Sequence, residues 1–218
     1  MGTPKEVCLY DVADAYAYLI NNRPDHWQVE SLSRGYTVTE DDGTQIGRAY
    51  PLTVNLMVRY VEDWGRKQGG PRVSHRLAPQ ITDLAEKAYA RDAGYLARAM
   101  NMLPRGWRVE PEESNRERVF DTANNRRERR PPDPTFSVHR KVGGEQVTGS
   151  GLSIHSVSAL FHNHWRERFA AVATKGMSVE IKDSGCLLRD AGGNSIGRPM
   201  TPGDALYLLE IISGSKNP

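Results

Sequence analysis

The chain has 218 residues, 38% of them hydrophobic, with a mean hydropathy of -0.60, so it can bury one large core or two small ones. No apolar run approaches the ~18 residues of a membrane span, residues 1–10 lack a charged-then-apolar leader layout, and Cys8 and Cys186 offer neither a disulfide framework nor a zinc spacing. These features exclude a membrane protein and a disulfide scaffold, and point to a soluble cytoplasmic protein with free thiols and no cofactor. The net charge of +2 is unevenly placed: residues 105–141 hold 10 basic and 7 acidic side chains, and the rest of the chain nearly balances.

In chain order, Val12, Ala15, Tyr16 and Leu19 recur at helical spacing behind Asp11, a natural N-cap, and Pro24 closes that helix. His26 to Glu30 reads as a short strand. Tyr36, Val38 and Glu40 alternate with threonines as a second, and Asp42-Gly43 predicts a tight hairpin turn into a third strand at Ile46. After Pro51 the apolar stripe Val54, Met57, Val58, Val61 and Trp64 predicts a helix. Gly69-Gly70-Pro71 marks a boundary. A long helix follows from Gln80 to Leu103, with Ile81, Leu84, Ala85, Ala88, Tyr95, Leu96, Ala99, Met100 and Leu103 on one face. Pro104-Arg105-Gly106 stops it.

The six residues Gly43 to Arg48 return as Gly193 to Arg198, 150 positions later. Held without a gap, that offset gives eight identities in the 32 columns from Val29 to Tyr60, and it sets Leu56 on Leu206. Trp27-x-Val29-Glu30, Trp107-x-Val109-Glu110 and Met177-x-Val179-Glu180 each follow a helix and its stop, which suggests a third copy in the middle. Stacking the copies matches Tyr36, Phe136 and Cys186; Val38, Val138 and Leu188; and Ile46, Val147 and Ile196 as core positions. A one-residue slip would turn any of these strands inside out, so agreement of register carries weight. The expected fold is α+β: two or three degenerate repeats of a three-stranded antiparallel sheet plus a helix. The expected units span 1–68, 72–152 and 153–218. The strand-strand-strand-helix repeat itself, of about 35–40 residues, buries too little to fold alone.

The middle copy is interrupted between its first two strands, from Pro111 to Thr135. This stretch carries Arg126, Arg127, Arg129 and Arg130 and few apolar residues, a composition suited to a long loop and not to a core. Its arginines can pair with successive phosphates, and Arg140 and Lys141 at the next hairpin can extend the patch. The same composition also fits a solvated loop with surface ion pairs to Glu112, Glu113 and Glu117, or a contact with an acidic protein surface. Arg48 and Arg198 occupy equivalent positions after Ile-Gly, either as secondary contacts or as helix-packing residues.

Other chemistry is thinly signalled. His155, His162 and His164 cluster in sequence, but helical spacing separates them and no carboxylate or cysteine completes a ligand set. There is no nucleophile elbow and no P-loop, and Gly149-Ser150-Gly151 reads as a turn entering a helix. The sequence therefore favours a non-enzymatic DNA- or RNA-binding protein. A protein-binding adaptor or inhibitor is the alternative, and a metal-dependent hydrolase the weaker one. Some DNA-binding modules, the AP2-type and integrase amino-terminal modules among them, also back a three-stranded sheet with a helix, but the sequence holds no motif of either.

Overall fold

The computed structural model describes residues 7–9, 11–33, 35–47, 51–75, 79–112, 133–141, 145–173 and 176–214. The first elements are β1 (Val7–Leu9), α1 (Val12–Asn22), β2 (Trp27–Leu32), β3 (Gly35–Glu40), β4 (Gln45–Ile46) and α2 (Val54–Lys67). Then come β5 (Val73–His75), α3 (Pro79–Met102), β6 (Trp107–Pro111), β7 (Phe136–Lys141), β8 (Glu145–Leu152) and α4 (Ile154–Val172). The chain closes with β9 (Ser178–Lys182), β10 (Gly185–Arg189), β11 (Ser195–Met200) and α5 (Pro202–Ile212). The fold is α+β: among the described residues, three antiparallel sheets of three strands stand in the orders β2-β3-β4, β6-β7-β8 and β9-β10-β11, with five helices. A parallel pair, β1 with β5, adds a small fourth sheet that the sequence pattern does not announce. No helix among the described residues is long and apolar enough to cross a membrane.

The register shows how alike the three sheets are. Val29 faces Val38, Val109 faces Val138 and Val179 faces Leu188. On the third strand, Val38 faces Ile46 and Leu188 faces Ile196, the pairing that the 150-residue offset requires. Tyr36, Phe136 and Cys186 are each no more than 1% exposed, opposite Leu52, Leu152 and Met200 in turn. Gly35 and Gly185 start the equivalent strands for one reason. A Cβ there would sit 2.6 Å from the Leu52 carbonyl oxygen or 2.7 Å from that of Met200, and both glycines take positive φ.

Two parts of the sequence register need correcting. The helices do not keep the 150-residue offset. Thr53, Ser153 and Thr201 are the N-caps of α2, α4 and α5, each accepting the amide of the residue three positions on. Counted from those caps, the buried sets coincide: Val54, Met57, Val58 and Val61; Ile154, Val157, Ser158 and Phe161; Pro202, Ala205, Leu206 and Leu209. The loop between the third strand and the helix is thus two residues shorter in the last copy. Leu56, 40% exposed, is not the counterpart of buried Leu206. Val147 also leaves the core set. A bulge in β8 puts Gly149 opposite Val138 and Val147 opposite His139, and Val147 is 62% exposed.

All three sheets share one core, and the helices cross between copies. Helix α1 packs on β6 of the middle sheet, while α3 packs on β2 and β3 of the first. The two contacts mirror each other. The Asn21 side chain accepts from the Val109 amide (2.9 Å) and donates to its carbonyl (2.6 Å); Asn101 does the same for Val29 (3.0 and 2.6 Å). Each asparagine thereby fills the outer edge of a sheet, where unpaired backbone groups would otherwise be left in the interior. Asn101 also donates to the Asp183 carbonyl and Arg98 pairs with the Asp183 carboxylate at 2.7 Å, tying the last sheet to α3. Arg23 bonds the Met100, Pro24 and Trp27 carbonyls, and its burial holds its pKa down to about 10.

Candidate nucleic-acid interface

The middle sheet gathers charge at one end. Helix α3 stops at Met102, whose carbonyl accepts from the Trp165 indole at 2.7 Å, and the chain turns through Gly106 at φ 76° into β6. Pairing of β6 with β7 sets Trp107 opposite Arg140 and Arg108 opposite His139, and the Lys141 amide donates to the Gly106 carbonyl at 2.9 Å. Arg105, Arg108, Arg140 and Lys141, from segments some 35 residues apart in sequence, thus share one corner. Arg140 lies on the Trp107 face of the sheet and Arg108 and Lys141 on the other, since successive strand residues alternate, and a carboxylate beside any of them would offset its charge. Only Arg108 has such a partner here, Glu110 at 3.2 Å; among the described residues Arg105, Arg140 and Lys141 form no ion pair.

The aromatic part of the corner is ordered by packing. The Arg140 guanidinium lies over the Trp107 ring, 5.8 Å from its centroid. Trp107 meets Phe161 edge-on at 5.9 Å and His164 at 4.9 Å. Burial, with Arg168 and Arg140 adding positive potential, pushes the His164 imidazole below its ordinary pKa, which favours the neutral ring. Trp107, His164 and Arg168 line a cleft of about 410 Å³ that α5 closes with Leu206, Tyr207 and Glu210.

Of the residues singled out from the sequence, Arg140 and Lys141 stand in this corner. Arg126, Arg127, Arg129 and Arg130 lie outside the described residues, as does Arg48. Arg198 is exposed in the bulged part of β11, behind Gly197 at φ 80°. It makes no helix-capping hydrogen bond among the described residues, and its neighbour Pro199 accepts from Gln28 of the first sheet. Nothing among the described residues joins it to the Arg140 corner.

The roots of the insert are firmly held. The Glu112 amide donates to the Thr135 carbonyl, and its carboxylate accepts from the Thr135 hydroxyl (3.2 Å) and the Gly151 amide (2.5 Å). Glu112 is therefore engaged by the fold, whatever the insert arginines do. Gly149-Ser150-Gly151 belongs to β8 and is not a turn at a helix N-terminus, and the Gly151 amide is taken by that carboxylate. The three histidines part company. His155 packs on Tyr95 at 4.5 Å, His164 packs on Trp107, and the His162 imidazole is held below its ordinary pKa by burial and then by Arg98 and Arg166. Among the described residues no group of three His, Cys, Asp or Glu side chains could hold a metal ion.

Sequence reasoning missed Arg105, Arg168 and the cleft. A signal existed: Arg-Gly-Trp-Arg on one strand faces Arg-Lys on the next, and Arg168 follows His164 by one helical turn. Comparison with protein-family models, curated proteins and solved structures finds no match for this chain.

Proposed function

We propose that this protein binds nucleic acid without chemical turnover, resting the middle sheet on phosphates. The observation that carries the reading is the corner where Arg105, Arg140 and Lys141 stand together with no carboxylate partner among the described residues. The insert leaves from the opposite end of the same strands, between Glu112 and Asp133. The six residues of β7 separate the two ends by roughly 17 to 20 Å, at about 3.4 Å per residue. That is the rise of about five to six duplex steps. Arg126, Arg127, Arg129 and Arg130 precede Asp133 by three to seven residues, so two basic groups are available to one nucleic-acid strand. Arg48 and Arg198 are secondary contacts in this reading. A cytoplasmic setting goes with this reading.

The test is an electrophoretic mobility shift with DNA and RNA at low salt, repeated with all four insert arginines changed to alanine and with Arg140→Ala/Lys141→Ala. The expected result is a shift that salt abolishes and that both variants weaken. No shift at low salt would refute the proposal.

A second reading is a protein-binding adaptor or inhibitor. It is favoured by the apolar outer side of α5, where Leu208 and Ile212 are 37% and 49% exposed. A partner with an acidic surface, bound by protein that gives no nucleic-acid shift, would replace the first reading with this one.

A further inference from the structure

The cleft shares Arg105 and Arg140 with the basic corner and adds aromatic walls and carboxylates, for which a duplex backbone has no use. Its volume of about 410 Å³ falls within the ~300–1,000 Å³ usual for small-ligand sites. Arg105, Arg140 and Arg168 line it, and none of the three has an ion-pair partner among the described residues. The walls are aromatic: Trp107 and His164 from β6 and α4, and half-exposed Tyr207 from α5. Two carboxylates, Asp204 and Glu210, also line it. A phosphate alone would gain nothing from the rings and would be repelled by the acids. An apolar ligand would leave the arginines idle.

We infer that this cleft holds one unpaired nucleotide, its phosphate on the arginines and its base against Trp107 and Tyr207. The inference rests on the nucleic-acid reading above and narrows it to single-stranded chain, because a paired base is held inside the stack and cannot enter. Stacking on aromatic side chains accepts any base, whereas carboxylates accept hydrogen bonds from exocyclic amino groups. Asp204 is steadied for that role by the Thr201 hydroxyl, which donates to it at 2.7 Å. Cytosine, which offers an amino group, is therefore preferred to thymine, which offers a carbonyl at the same place.

The experiment uses the full chain and fluorescence anisotropy with three labelled probes: a twelve-nucleotide oligo(dC), the same length of oligo(dT), and a mixed-sequence duplex. Free CMP serves as competitor. Single strands should bind about tenfold or more tighter than duplex, as one stacked base contributes on the order of a tenfold gain or more, and oligo(dC) tighter than oligo(dT). Arg168→Ala and Tyr207→Ala, both at exposed positions, should remove that preference, weakening single-strand binding by more than they weaken duplex binding. Competition by CMP that both variants abolish would support the same site with a free nucleotide as its source. Equal affinity for single strand and duplex, or variants that weaken both alike, would overturn the inference and leave the nucleic-acid reading standing. Failure of every probe to bind would overturn both.

Discussion

Replacing Asn101 with alanine removes the side-chain clamp on Val29 at the edge of the first sheet, and its cost can be worked out from three contacts. The Asn101 amide satisfies the N–H and C=O of Val29, a residue with 0% exposure, and also reaches the Asp183 carbonyl, which is only part-buried. Water can take over at Asp183 but not at Val29. A buried backbone group left without a partner costs roughly 1–3 kcal/mol, so two of them cost about 2–6 kcal/mol. That is a large part of the roughly 5–15 kcal/mol that holds most domains folded. Asn21→Ala exposes the same two groups of Val109 in a less buried setting and should cost less, about 1–3 kcal/mol. Asn101→Asp should be at least as damaging as the alanine, because a carboxylate cannot donate to the Val29 carbonyl. Urea unfolding at neutral pH is the assay, with lowered midpoints and unchanged slopes. A loss below about 0.5 kcal/mol for Asn101→Ala, or a larger loss for Asn21→Ala, would refute the view that crossed asparagines seal the sheet edges.

Three further outcomes can be checked on the same protein. Gly185→Ala should destabilise more than Gly43→Ala: both glycines have positive φ, but only at Gly185 does a Cβ run into backbone, 2.7 Å from the Met200 oxygen, so thermal melts should separate the two by well over the ~1 kcal/mol of backbone strain alone. Burial, then Arg168 and Arg140, keep the folded His164 below the ordinary imidazole value near 6.5, so the unfolded chain binds that proton more readily; stability is fully present above about pH 6.5 and falls as the pH drops below it, and His164→Asn should flatten a plot of urea midpoint between pH 7 and pH 5. Burial pushes the Cys186 thiol up to about 12, so peptide mapping after iodoacetamide treatment at pH 8 should find Cys186 unmodified until urea unfolds the chain.

The strands and turns were legible because each leaves a local mark. Alternation at Tyr36 and Val38, the glycine turns at Gly43 and Gly193, and the Asp11 cap of α1 all survive in the structure. The third copy was legible through Trp107-x-Val109-Glu110 and the alternation at Phe136 and Val138, and the matching buried faces of α2, α4 and α5 now carry it. Three things left no local mark. The bulge that turns Val147 outward depends on how β8 meets β7, which no window of sequence contains. The two residues missing before α5 were hidden by a chance match of Leu56 with Leu206. The crossing of α1 and α3 onto each other's sheets is a matter of long-range packing, and an isolated asparagine near a helix end looks like a cap. The candidate site was half legible. Arg140 and Lys141 stood out by charge, but Arg105 and Arg168 join them only through strand pairing and helix packing.

The salt dependence of nucleic-acid affinity tests the central claim most directly, since it reports how many cations sit on phosphates. A plot of log affinity against log salt should be linear, with a slope near -0.9 for each duplex phosphate neutralised. Arg140→Ala/Lys141→Ala should reduce its magnitude by about two, and changing the four insert arginines should reduce it further. A slope that neither set of changes alters would show that the middle sheet does not meet phosphate, and would contradict the account.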